Sequence, residues 1–394
     1  MIMPTAGAQL LAAALAAMGS LEVAVRSEVK GLSGGASNPA LKEPVPYEID
    51  PSASLAIEDD RRFDIRLGFS SRILFLAVPG GSYAAHYGTG SASGTWRPDD
   101  RLRLDLSGTM SQGVLETTPT AQLPASTTPG TETPLQTAPS LGTARQQAQS
   151  LYAGSTYRAS SSVTLGAAAG YAHSGGMTEE ARQFIPEQES ERVEATLSTG
   201  VSERDSLTVR TGYRRTAVIY FGTGDILDLG VRWDRRIAPG VAGYAGVGAA
   251  VTVRSSLVGE IPLPLFPGRV APELEAGIGT PVGRPDLSAS IGVAFAPTVE
   301  PYSRSIQNRA TARAELDWVA SERMRVNGRL LGASMLDDFL PRGGSAVSEL
   351  VVWFRAPDLE IGVGSRAGFN EAAGAGYWQW SLFFAGRQTS RAVL

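Results

Sequence analysis

The residues from Asn308 to Leu336 alternate so regularly that one secondary structure satisfies both faces. In NRATARAELDWVA, Ala310, Ala312, Ala314, Leu316 and Trp318 fall on one side, and Arg309, Thr311, Arg313, Glu315 and Asp317 fall on the other. That period of two is a strand, not a helix. After the polar turn Ser321-Glu322-Arg323 the chain returns as RVNGRLLGASML, with Val326, Gly328, Leu330 and Gly332 opposed to Arg325, Asn327 and Arg329. The same alternation begins near Ser52, is clear in FDIRLGF (63–69), and recurs in SYAAHYGTGSASGTW and RLRLDLSGTM. It continues through 146–158, 162–173, 191–201, 207–221, 226–236, 241–254, 269–280, 287–298, 347–356, 359–370 and 377–387.

The connections between these strands alternate too. Tight turns are expected at 97–100, 159–161, 202–206, 237–240, 282–286, 321–323 and 357–358. Longer connections are expected at 115–145, 174–190, 255–268, 299–307, 338–346 and 371–376, and 222–225 is a short exception in the long series. Short turns on one side and long loops on the other are the pattern of a transmembrane barrel. Strands of the roughly 9–11 residues that cross a bilayer, one-sided through the whole series, also favour a membrane barrel over a soluble sandwich with its shorter strands. The sequence therefore predicts an all-β fold, a transmembrane antiparallel up-and-down β-barrel. About sixteen strands follow from Phe63 onward, and a pairing around Ser52–Glu58 would raise the number to about eighteen.

In such a barrel the polar side of each strand lines an aqueous lumen. The residues that fall there are Arg66, Arg103, Asp105, Arg210, Arg214, Asp228, Arg232 and Asp234, then Arg309, Arg313, Glu315, Asp317, Arg329, Glu360 and Arg366. Mixed Arg and carboxylate rows set a transverse field and offer hydrogen bonds to hydroxyl groups, which suits hydrated ions, sugars or a moving polysaccharide. The same residues also pair across strands and stiffen the wall. Aromatic residues gather at strand ends (Tyr213, Tyr220, Phe221, Trp233, Trp353, Phe354, Tyr377, Trp378, Trp380, Phe383, Phe384), as interfacial girdles do. Trp318 is expected near the short-turn interface and Arg313 inside the pore.

Outside the alternating region the chain reads differently. Residues 1–24 contain the Ala/Leu run QLLAAALAAM and are expected to be a secretory signal, although no basic residue precedes Arg26. Residues 25–50 read as a periplasmic linker, 51–387 as the barrel and 388–394 as a C-terminal tail. Within the barrel, 115–145 is a Pro/Thr-rich extracellular loop with too little apolar content to form a domain. Gly31-Leu32-Ser33-Gly34-Gly35 matches the hydrolase elbow pattern, but it lies between no strand and helix.

Composition narrows the chemistry. The chain has 43% hydrophobic residues, 45 Gly, no Cys and a net charge of −4, so a disulfide framework, a cysteine metal site and a nucleic-acid partner are all disfavoured. Lys30 and Lys42 are the only lysines, and every later basic side chain except the histidines is Arg. No cofactor or metal is expected, and no H-E-x-x-H or P-loop is present. Of the two histidines, His173 ends a strand beside a long loop, where an outer-membrane hydrolase would place one, and His86 lies within a strand.

Residues 51–387 resemble a Gram-negative outer-membrane β-barrel of porin size. The last strand resembles that class's assembly signal, with Trp378, Trp380, Leu382 and Phe384 on one side, but the chain runs on as AGRQTSRAVL. The Arg-rich, nearly Lys-free style, the opening SASLAIEDDRRFDIRLGFSSRI and the Pro/Thr loop are similar to barrels that myxobacteria encode beside polysaccharide-export genes. That resemblance implies an outer-membrane pore, both termini periplasmic, working with a periplasmic export protein. It also implies contact with outer-membrane lipid and with the barrel-assembly machinery. The expected function is passage of polysaccharide. A general or small-solute porin, a hydrolase built on His173, and a structural or adhesive barrel displaying the 115–145 loop are the alternatives.

Overall fold

The computed structural model describes residues 18–34, 47–59, 62–78, 81–116, 143–256, 270–280, 286–300, 305–335, 344–356, 359–372 and 375–393. Its first nine strands are β1 Met18–Gly34, β2 Tyr47–Asp59, β3 Phe63–Val78, β4 Gly81–Trp96, β5 Leu102–Glu116, β6 Thr143–Arg158, β7 Val163–Gly176, β8 Gln188–Gly200 and β9 Asp205–Val218. The other nine are β10 Gly222–Ala238, β11 Val241–Ser255, β12 Val270–Gly279, β13 Leu287–Glu300, β14 Ser305–Ser321, β15 Met324–Met335, β16 Gly344–Arg355, β17 Leu359–Ala372 and β18 Ala375–Val393. Every strand pairs antiparallel with its neighbours in sequence, and β1 pairs with β18, so the sheet closes on itself. Closure leaves no unpaired edge, which hydrocarbon requires. One short helix, α1 Glu179–Phe184, sits in the β7–β8 loop with Thr178 as its N-cap.

The chain alternation becomes two faces because the registers are continuous. Asp64 faces Thr95, Thr95 faces Asp105, and Asp105 faces Gly154, so one interior row passes from strand to strand. The opposite face carries large apolar side chains open to the surroundings, among them Leu106, Met110, Leu229, Val247 at 65% and Phe384 at 64% exposure. An apolar belt of this extent is intolerable in water and is what a barrel shows to lipid. No helix among the described residues is long and apolar enough to cross a membrane; the strands cross it.

The ends of the barrel differ. At the turn end, Pro239-Gly240 links β10 to β11 with Gly240 at φ 77°, a conformation that favours glycine. Outward Trp96, Tyr157, Trp233, Trp318 and Phe354 ring this end within a few residues of the turns. Both chain ends that the strands describe also lie here. At the loop end, the tight β9–β10 connection puts Tyr220 at φ 69° and leaves it 84% exposed.

The structure corrects several expectations. Residues 25–34 and 47–50, expected as linker, belong to β1 and β2. Residues 18–24, expected within the signal, are the first half of β1. The reason is visible in LEVAVRSE: Leu21, Val23 and Val25 face out, while Glu22, Ala24, Arg26 and Glu28 face in, the alternation of any other barrel strand. The strand number, eighteen, lies within the expected sixteen to eighteen, with β2 supplying the pairing expected around Ser52–Glu58. The tail expected from 388 continues β18 to Val393. Trp353 and Phe383, read as girdle residues, face inward, in register with Gly362 and Gly364. Residues 1–17 of the expected signal and 117–142 of the Pro/Thr loop lie outside the described residues.

The barrel interior as candidate functional site

All fifteen candidate residues lie on the interior face, and the registers bring most of them into ion pairs. Six strands carry an arginine and a carboxylate two residues apart, and each makes its pair along its own strand: Arg26 with Glu28 at 3.0 Å, Arg66 with Asp64 at 3.0 Å, Arg103 with Asp105 at 2.8 Å, Arg232 with Asp234 at 2.7 Å, Arg313 with Glu315 at 2.8 Å, and Arg192 with Glu194. Successive inward side chains on one strand are close enough for this because the period is two. Other pairs run between strands. Asp317 accepts from Arg325 Nε at 2.7 Å, Glu360 from Arg387 Nε at 2.9 Å, and Glu349 from Arg366 Nη2 at 2.7 Å. Arg329 stands between Glu315 and Glu349 in register. Arg309 is buried on β14, one row past Thr311 from Arg313.

Two networks span more than one neighbouring strand, and glycine makes this possible. Arg210, Gly230, Gly248 and Glu273 are directly in register across β9 to β12. With no side chain at the two central positions, Arg210 reaches over them to Glu273 at 3.2 Å, and Asp228 and Arg214 join at 3.7 and 3.9 Å. Arg232 extends to Glu275 at 3.9 Å and covers the ring of Tyr244. At the seam where β1 meets β18, Arg26 crosses two strands to Glu349 at 3.0 Å and lies 3.3 Å over the Phe383 ring. The Phe383 ring in turn occupies the space a side chain at Gly364 would need. Glu28 pairs with Arg26 at 3.0 Å, and Arg72 with Glu48 at 2.9 Å.

Sequence reading missed most of this seam. Arg26, Glu28, Glu48 and Asp50 fell in the stretch read as signal and linker, though their alternation with apolar residues was a usable signal. Arg192 and Glu194 alternate with Val193 and Ala195 and were equally available. What no pattern contains is which arginine passes over glycines to a third strand.

The interior wall is more open to water near the turns and more tightly packed toward the loops. Near the turns the Arg66 and Arg103 side chains keep 61% and 51% of their surface. Toward the loops, inward Leu74, Glu28, Glu48, Ser345 and Val347 are buried. Val218, Ile226 and Ala250 of β9–β11 also form an apolar cluster with Ile306, packed by Val299 of β13 and by Phe221. These strands are not neighbours of β14, so the loop end draws inward. His173 is buried at this end; its Nε2 lies 3.1 Å from Glu187, and its Nδ1 has no hydrogen-bond partner among the described residues. His86 is exposed on the outer face.

Comparisons with known proteins give one family and several solved structures of low identity. The sequence profile of the EpsX exopolysaccharide export family matches residues 11–384. No curated protein matches the sequence. Among solved structures, OpdQ of Pseudomonas aeruginosa is 12% identical, with 95% of this chain and 98% of that one covered, at a TM-score of 0.44. The siderophore receptor PirA of the same organism is 8% identical over 94% and 80%, at 0.47. The FrpB iron transporter of Neisseria meningitidis is 10% identical over 89% of this chain, which spans only 62% of its length, at 0.44.

Proposed function

We propose a function that starts from what the chain is, an outer-membrane β-barrel belonging to the EpsX exopolysaccharide export family with a transport rather than an enzymatic role: it is the outer-membrane pore through which a polysaccharide leaves the cell. In this reading the turn end and both termini are periplasmic, and a periplasmic export protein delivers the chain to the turn-end mouth. The barrel-assembly machinery inserts it, reading the outward Trp380, Leu382 and Phe384 of β18.

The observation that carries the proposal is the wall of the turn-end half. Its Arg–carboxylate pairs stay half open to water and present donors and acceptors in close alternation, the inventory that hydroxyl-rich chains engage. Barrels of this strand number are too wide for side chains to fill. The fifteen candidate residues would then be lumen contacts as well as struts. A signal peptide remains part of the reading, with cleavage ahead of Met18 so that β1 stays whole.

Planar-bilayer recording and gene deletion test this. The barrel should conduct, with conductance reduced by dextran small enough to enter. Deletion should abolish one surface polysaccharide. A barrel that stays sealed under all voltages refutes the pore. Normal polymer with slowed uptake of small sugars favours the small-solute porin instead.

A further inference from the structure

The ladder between β12 and β13 parts before either strand ends. It holds six pairs, from Gly279 with Ser290 to Leu274 with Phe295, against ten between β11 and β12. Among the described residues β12 then runs on to Val270 paired with β11 alone, and β13 to Glu300 paired with β14 alone. The partner strand is released on its far side as well, since the pairing of β14 with β15 begins at Arg309. Carried two steps past the parting, the register would set Pro272 opposite Pro297. Neither can donate a backbone hydrogen bond, and proline belongs at a sheet edge rather than in a central strand.

The two released arms, 296–300 of β13 and 305–308 of β14, lie inside the barrel. Ile306, Gln307, Asn308 and Arg309 are buried in succession, at 8%, 5%, 0% and 8% exposure. Successive strand residues point to opposite faces, so this segment is covered on both, which a single-layered wall between lipid and water does not provide. Ile306 and Val299 are in register with each other and belong by their alternation to the outward face of the arms. They nonetheless pack on Val218, Ile226 and Ala250, which point inward from β9, β10 and β11. An outward face meets an inward face only where the arms pass behind the wall. The loop end is two layers thick here.

Tucking the arms in leaves the β13 side of β12, from Val270 to Glu273, as an edge among the described residues. Such an edge is a template for a further strand, and the strand whose register fits it is the one that parted from it. Swung outward, the arms would bring Ala296 opposite Glu273 and Thr298 opposite Ala271, restoring a single-layered wall. Tucked inward, they bury Ile306 and Val299 against the β9–β11 cluster instead. The two positions exchange ladder hydrogen bonds for a small apolar contact, so one element has two seats.

We infer that these arms are the gate of the pore: tucked behind β9–β11 they narrow the loop-end mouth, and swung out to β12 they open it. The inference rests on the pore reading, because a gate needs a path to close. A barrel of eighteen strands is too wide for its own side chains to fill, so small solutes would leak through it whenever no polymer occupied it. Arms lying within the wall keep the idle lumen narrow. A chain entering the lumen competes for the space they take and so favours the outward seat, a shift of population between two states of one element.

The chain has no cysteine, so paired cysteines can tie the arms in either seat without background. Ile306→Cys with Ala250→Cys joins the arms to the cluster. Thr298→Cys with Ala271→Cys joins residues that stand opposite one another only when the arms lie against β12. In planar bilayers the oxidised first pair should pass at least threefold less current than the same protein after reductant, and the oxidised second pair should stay at the open level without closures. Heat-sensitive gel mobility reads folding, and Ile306→Cys with Ile226→Cys replaces the first pair if that variant does not fold. Equal current before and after reduction of the first pair overturns the gate and leaves the pore. A folded barrel in which neither pair at 306 oxidises overturns the tucked seat, and one in which the pair at 298 never oxidises overturns the seat on β12. No current from any variant, oxidised or reduced, overturns the pore and the gate with it.

Discussion

Arg103 and Arg366 both face the interior and both lie beside a carboxylate, yet Arg103 keeps 51% of its side chain open and Arg366 keeps 7%. The first belongs to the turn-end half, where pairs form along single strands. The second belongs to the seam from β16 to β3, where Arg366 meets Glu349 at 2.7 Å and Glu28 at 3.7 Å, and where Glu28 is fully buried. Water screens the pairs near the turns, so they contribute little to stability and stay available to a passing ligand. The seam pairs have given up their water and depend on one another. Residue type is the same in both halves; solvent decides what the residue does.

Substitution at the two sites should separate the halves most sharply. Arg366→Leu leaves Glu349 and Glu28 buried with fewer partners, and it is expected to cost about 3–5 kcal/mol. Arg103→Leu removes a screened pair and is expected to cost about 0–1 kcal/mol. Urea unfolding of the barrel in lipid vesicles, followed by tryptophan fluorescence, measures both; equal losses would mean that the interior is uniformly wet or uniformly packed.

A subtler contrast lies on one strand. Arg309 and Arg313 share the inward face of β14, but Arg309 is 8% exposed as a residue and the Arg313 side chain 36%. Arg313→Glu should shift the reversal potential toward cation selectivity and cost little. Arg309→Glu should destabilise by about 2 kcal/mol more, since it reverses a charge in a packed setting, and should move the reversal potential less. Bilayer recordings in a salt gradient decide; an equal shift from both places the open lumen deeper than the exposures do.

The sequence shows the barrel and its faces because a period of two survives every local accident, and the register then carries Arg313 or Asp105 to the interior automatically. It hides β1 because LEVAVRSE follows an Ala/Leu run that a targeting signal explains equally well. Trp353 and Phe383 were misplaced for another reason. They sit in aromatic-rich strand ends where girdles are expected, and only the registers with Gly362 and Gly364 reveal that each ring lies on a glycine inside the wall. The candidate residues were legible one strand at a time. Arg210 with Glu273 and Arg26 with Glu349 were not, because these contacts depend on which glycines line up across four strands. The division into an open and a packed half has no sequence signature at all, since the cluster of Ile306 with Val218, Ile226 and Ala250 joins β14 to strands that are not its neighbours.

The smallest expected effect concerns a turn that belongs to neither half. The Asp99 carboxylate accepts the backbone N–H groups of Arg101 at 2.7 Å and Leu102 at 2.8 Å, closing the β4–β5 turn. These two hydrogen bonds favour the ionised form and hold its pKa below the usual carboxylate range. Because the folded value is depressed, the stabilisation is fully present above the unfolded value of about 3.9. It is lost as pH falls through the lower folded value. Asp99→Asn keeps an acceptor without the charge, so wild type should exceed it slightly at neutral pH and converge on it in strong acid, with Asp99→Ala below both at neutral pH. A wild-type advantage over Asp99→Asn that stays constant down to strong acid would show that the carboxylate acts by shape alone.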